Sequence, residues 1–103
     1  NLAVVMAQMG KKVALIDADL RKPIQHKRWG VPNTVGLTGA LLMDDAIDDL
    51  ENLLTPTAVD NLWLLTSGQL PHNPSELLGS HKLKQLTEQL LRKLDILIFD
   101  SPP

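Results

Sequence analysis

The sequence has no cysteine, so it can form neither a disulfide framework nor a thiolate metal site, which fits a reducing compartment. It has no tyrosine and few other aromatics, only Trp29, Trp63 and Phe99, so any core must be built from Leu, Val, Ile, Ala and Met. No apolar run approaches the roughly 20 residues needed to cross a bilayer. The start lacks the charged-then-apolar pattern of a signal peptide. Neither sign of charge dominates: ten Lys and Arg stand against twelve Asp and Glu, a net charge of -2. Bulk electrostatics therefore give no reason to expect nucleic acid or an anionic membrane surface as a partner. Together these absences predict a soluble, cytoplasmic piece. Its 103 residues, 44% of them hydrophobic, suffice for one domain, 1–103, and are too few for two.

What is present alternates between helical and strand patterns. LAVVMAQM, 2–9, puts Leu2, Val5 or Met6, and Met9 on one helical face, and Gly10 suits the left-handed position that ends a helix. VALI, 13–16, is a short unbroken apolar run, as expected of a buried parallel strand. A polar loop, DADLRKP, precedes a short helix over 24–29 that Gly30 and Pro32 end. Thr38 is predicted to cap a helix to about Met43, with a further helical turn over 45–50. The Thr-Pro-Thr step at 55–57 reads as briefly extended, and Asp60-Asn61 as a turn before a second strand, LWLL, 62–65. After a Gly/Pro-rich loop, Ser75 is expected to cap a short helix and Ser80 a longer one to about Lys93. On the latter, Leu83, Leu86, Leu90, Leu91 and Leu94 form an apolar stripe, with Lys82, Lys84, Glu88 and Arg92 facing water. ILIF, 96–99, is expected to be a third buried strand. Strands joined by helical crossovers imply parallel pairing in an α/β fold.

Open parallel sheets bind ligands at the carboxyl ends of their strands. The first strand is followed by Asp17, Asp19 and Arg21, the second by Thr66, Ser67 and Gly68, and the third by Asp100. A single aspartate after a strand is more often a turn or cap residue than a ligand. Two strands ending this way, one with a DxDxR spacing, favour carboxylates converging on one cation. Magnesium takes hard oxygen ligands and keeps several waters, so one or two carboxylates beside phosphate oxygens suffice. A third carboxylate can orient or deprotonate an attacking hydroxyl. His26, His72 and His81 are too scattered to suggest a metal site, and the basic residues of the first third read as a solvated face. Trp63 reads as core and Trp29 as partly exposed.

Four stretches carry a more specific signal. ALIDADLRKP, 14–23, resembles the second Walker-type motif of bacterial tyrosine kinases (BY-kinases) of capsular exopolysaccharide biosynthesis, and LIFDSPP, 97–103, resembles their Walker B motif. SGQLPHNPSELLGS, 67–80, is similar to the segment between the two, and NLAVVMAQMGKKV, 1–13, to the helix that follows the phosphate loop. The resemblance implies a parallel-sheet, three-layer α/β/α P-loop NTPase of the deviant-Walker type, incomplete here. It implies ATP and Mg2+ as cofactors. It casts Asp17 as a water-mediated magnesium ligand near the γ-phosphate, or as base toward a tyrosine hydroxyl. Asp19 would support the metal shell or orient the acceptor. Asp100 would hold magnesium through its water shell and so contribute to cofactor binding. Arg21 would form ion pairs near the site or across a subunit contact, or serve as a structural partner for Asp19. The implied catalytic set is therefore Asp17, Asp19 and Arg21, with Asp17 and Asp100 toward the metal.

The implied function is autophosphorylating, ATP-dependent protein tyrosine kinase activity regulating capsule synthesis and export. The implied partners are a membrane-anchored polysaccharide co-polymerase or activator, in cis or trans, tyrosine-containing proteins including the kinase itself, and further copies of the chain. Such a protein would sit at the inner face of the cell membrane. The sequence departs from the family in lacking GxxxxGK[ST], for which Gly10-Lys11-Lys12 is no substitute, and in lacking a tyrosine cluster. These departures predict a piece inactive on its own, with a gap in its sheet where the strand before the phosphate loop belongs. The rival readings are a deviant-Walker ATPase of the septum-site or partitioning type, and a non-catalytic assembly module of a polysaccharide-export complex.

Overall fold

A computed structural model describes residues 2–33, 36–42, 53–69 and 71–100, with the backbone alone at Ser75. The predicted turn over 45–50 and the terminal Ser-Pro-Pro lie outside these residues. The elements in chain order are α1 (Leu2–Gln8), β1 (Val13–Asp17), α2 (Gln25–Trp29), α3 (Leu37–Leu42), β2 (Thr55–Pro56), β3 (Leu62–Leu65), α4 (Pro74–Leu78), α5 (His81–Leu91) and β4 (Ile96–Asp100).

The four strands form one sheet in the order β2-β3-β1-β4. β1 pairs in parallel with both β3 and β4, while the two-residue β2 adds antiparallel to the far edge of β3. Every residue of β1 is buried, as the unbroken VALI run predicts for a strand covered on both faces. Alternation along β1 divides the core. Ala14 and Ile16 join a cluster with Leu37, Leu41, Leu86 and Leu90 from α3 and α5, while Val13 and Leu15 join Ala3 and Ala7 of α1 on the opposite face.

Local chemistry explains most of the boundaries. α1 closes in a Schellman arrangement: Gly10 at φ 90° lets its N–H reach Ala7 O, and the Lys11 N–H reaches Met6 O. Asn61, at φ 65°, makes the turn that feeds β3.

The structure corrects several expectations. The buried side of α1 carries Ala3 and Ala7, whereas Leu2, Val5 and Met9 are 60%, 51% and 73% exposed. Alanines one turn apart let the helix backbone lie close to the sheet, which larger side chains would prevent. Thr38 lies inside α3; the first N–H groups of that helix go to the carbonyls of Thr66 and Ser67, not to a threonine cap. α4 starts at Pro74, with Asn73 before it: the Asn73 carbonyl accepts the Leu77 N–H and its amide donates to Glu76 Oε2. Ser75 is thus not the boundary. Ser80 has the backbone of a cap, but its hydroxyl donates back to Leu77 O at 2.7 Å. On α5, Leu86 and Leu90 are buried while Leu91 is 48% exposed. β4 is half-buried rather than fully buried, with Phe99 40% exposed. The sheet has no gap: β3, β1 and β4 are contiguous, and among the described residues β4 pairs on one side only.

Candidate active site

β1 and β4 run in register to their last residues, where Asp17 stands opposite Asp100. Period-two alternation puts Asp17 in the row of Val13 and Leu15, and Asp100 in the row of Ile96 and Ile98, so both carboxylates sit on the α1 face at the carboxyl end of the sheet. The ladder extends one step beyond β1, with the Ala18 N–H donating to Asp100 O at 2.9 Å.

Asp17 is completely buried. Its carboxylate organises the loop that follows β1. Oδ1 accepts the Asp19 N–H at 3.1 Å, and Oδ2 accepts the N–H groups of Ile24 and Gln25, each at 3.0 Å. Burial pushes its pKa above the ordinary value of 3.8. The three N–H donors pull it back down in part, and the neighbouring Asp100 charge raises it further. Asp19 is half-buried, and its Oδ1 accepts the N–H groups of Arg21 and Lys22, an Asx-type turn. Arg21 points outward, and its contact with Asp19 runs through the backbone N–H; its guanidinium has no ion-pair partner among the described residues. The structure thus brings Asp17 and Asp100 together, keeps Asp19 in the adjoining turn, and leaves Arg21 at the surface.

Sequence reading overlooked Gln25. It is 4% exposed, and its Nε2 donates to Asp100 Oδ2 at 2.6 Å. Nothing in its spacing marks it; the only hint was a polar residue on a short helix beside an acidic loop. Asn33 was also missed. Its amide spans the end of β3, donating to Ser67 Oγ and Gly68 O and accepting the Gly68 N–H at 2.8 Å. Thr66 and Ser67, buried at that strand end, are held by this clamp and by the first turn of α3.

The donor set suits a hard cation reached through water. A carboxylate offers roughly four acceptor sites, and three on Asp17 are already used by N–H groups. One remains on Oδ1, and Asp100 keeps Oδ1 clear of hydrogen bonds from described residues. Two partly satisfied carboxylates, with no group of three acidic or histidine side chains placed to hold a metal among the described residues, make an outer-shell site rather than an all-protein cage.

No protein-family model matches the chain. Over all 103 residues it is 48% identical to the tyrosine-protein kinase YwqD of Bacillus subtilis, and it spans 42% of that protein. It superposes on the kinase domain of the Escherichia coli tyrosine kinase ETK with TM-score 0.87 and 37% identity, covering 99% of this chain and 39% of that one. It is also similar to the septum site-determining protein MinD of Pyrococcus horikoshii, solved with Mg-ADP, at TM-score 0.70 and 26% identity, over 98% of this chain and 40% of that one. The fold is therefore that of the P-loop NTPases, and the chain spans under half the length of these relatives. Whole-chain identity of this size to a named kinase, carried on the kinase-domain fold, makes the chain similar along its full length to under half of a bacterial tyrosine kinase.

Proposed function

We propose that the protein carrying this chain is an ATP-dependent protein tyrosine kinase, and that Asp17 and Asp100 form its magnesium-facing carboxylate pair. The supporting observation is their register: two aspartates from separate strands end level, on one face, at the carboxyl edge of a parallel sheet. Mg2+ held there through its waters would neutralise charge developing on the transferred phosphoryl group. The chain's own residues supply position. Asp17 is fixed by three N–H donors and Asp100 by Gln25, so neither has to reorganise when nucleotide arrives. The buried Asp17 fits a water-mediated ligand better than a base, because its oxygens already face the backbone. Asp19, half-buried in the adjoining turn, orients the acceptor, and exposed Arg21 serves a contact with a second copy or with the substrate.

The substrates are tyrosine-bearing proteins, and the setting is capsule or exopolysaccharide export, in partnership with a membrane-anchored activator. No described helix is long and apolar enough to cross a membrane, so attachment would come through a partner or a fused segment.

The test is phosphotyrosine formation by the full-length protein. Asp17→Asn and Asp100→Asn should each lower the rate by roughly 10²-fold, the scale on which losing one preorganised charge-stabilising group acts. Wild-type rates in both variants would overturn the assignment. The likeness to MinD supports one second reading, a nucleotide-driven ATPase; ATP hydrolysis without phosphotyrosine would establish it.

A further inference from the structure

Gln25 is tied at its backbone N–H and at both ends of its side-chain amide. As the first residue of α2, it gives its backbone N–H to Asp17 Oδ2 at 3.0 Å. Its side-chain Nε2 gives a hydrogen to Asp100 Oδ2 at 2.6 Å, and its Oε1 accepts the Trp29 indole N–H at 3.3 Å, one turn along the same helix. An indole N–H is only a donor, so Trp29 dictates which end of the amide carries oxygen. The NH2 group must then face the carboxylate. One nearly buried residue therefore touches both members of the carboxylate pair, and its orientation is fixed by a third side chain.

We propose that Gln25 is a positioning residue for that pair, holding the Asp100 carboxylate in one orientation with Oδ1 presented to the ligand. The assignment rests on the reading of Asp17 and Asp100 as magnesium-facing groups. Gln25 itself touches neither nucleotide nor cation; it acts through Asp100, and Trp29 acts through Gln25. A group one step removed from a metal typically changes affinity by about 10- to 100-fold when replaced. The effect should appear in the cation requirement and not in recognition of the protein substrate.

The experiment uses the full-length protein and Mn2+ as probe, its affinity read by electron paramagnetic resonance in the complex with a non-hydrolysable ATP analogue. Gln25→Met keeps the side chain's length and apolar packing but removes the amide. It should weaken Mn2+ binding about tenfold and raise the Mg2+ concentration for half-maximal phosphorylation by a similar factor. KM for a tyrosine substrate should stay within about twofold, because Gln25 lies against the carboxylate pair and not against the protein substrate. Trp29→Phe, which frees the amide to turn over, should shift the Mg2+ requirement in the same direction by a smaller factor. If Gln25→Met fails to fold, Trp29→Phe decides: an unchanged Mg2+ and Mn2+ dependence overturns the proposal. Mn2+ affinity within twofold of wild type in a folded Gln25→Met, while Asp100→Asn weakens it, overturns the positioning role alone. Unchanged Mn2+ affinity in both Asp17→Asn and Asp100→Asn removes the carboxylate reading beneath it.

Discussion

Asp17 is pulled two ways. Burial beside a second carboxylate favours its protonated form, while three backbone N–H donors favour its charged form, and burial wins. A carboxyl whose folded pKa is raised contributes stability that is fully present below its ordinary value and is lost as pH climbs through the raised one. The urea midpoint of the wild-type chain relative to Asp17→Asn should therefore fall with increasing pH, starting near 3.8, and level off once the group is fully ionised. A difference that grows with pH would contradict the burial-dominated balance. A second residue-scale prediction concerns two glycines three positions apart. A Cβ on Gly36 would lie 2.3 Å from Thr66 O and 2.5 Å from Gly68 N, while one on Gly39 meets nothing within 4 Å. Gly36→Ala should cost about 1–3 kcal/mol or more. Gly39→Ala, in α3, should stabilise by about 0.5–1 kcal/mol, both measured by denaturant unfolding. Asp17 and Asp100 were legible in the sequence because each closes an apolar run at a strand end. Gln25 was not, because its importance comes from a contact between residues 75 positions apart.

Among the elements, α5 shows both the reach and the limit of a periodic reading. The stripe correctly picks Leu86, Leu90 and Leu94 as buried but adds Leu91, which lies a further 100° round the helix and faces out. Leu86→Ala or Leu90→Ala should destabilise by about 2–5 kcal/mol, and Leu91→Ala by no more than about 0.5 kcal/mol. Equal effects at 90 and 91 in thermal unfolding would mean the helix is rotated. The caps were harder to read. Serine is a good cap by type, yet α4 already begins at Pro74, before Ser75, and the Ser80 hydroxyl is occupied by Leu77 O. Asn73→Ala, which loses an exposed bond to Glu76, and Ser80→Ala, with no cap bond to lose, should each remove no more than about 0.5 kcal/mol. In α1 the hydrophobic pattern favoured the large residues, whereas close approach to the sheet selected alanine.

For the molecule as a whole, the α/β class and parallel pairing followed from alternating strands and helices. The spatial order did not: crossovers make the strands parallel without saying that β1 lies between its later partners. The unbroken burial of β1 was the one hint. The two-residue β2 bears out the briefly extended Thr-Pro-Thr step, but nothing in that step announced its antiparallel pairing with β3. Among the described residues β4 pairs on one side only, which has a practical consequence, because an apolar strand with unpaired backbone groups is a template for association. The 103-residue chain should self-associate at high concentration, and Phe99→Lys should shift it toward monomer in sedimentation velocity. Unchanged sedimentation would locate the contact elsewhere.

The pairing of residues 17 and 100 also makes the site sensitive to arithmetic. Side chains change face at every step along a strand, so acidic groups share a face only while the count along β4 keeps its parity. Deleting one residue from the connector 92–95, if the strand slid to compensate, would set Asp100 opposite Ile16, on the α5 side and away from Asp17. Removing two would return an acid to the correct side, one rung short.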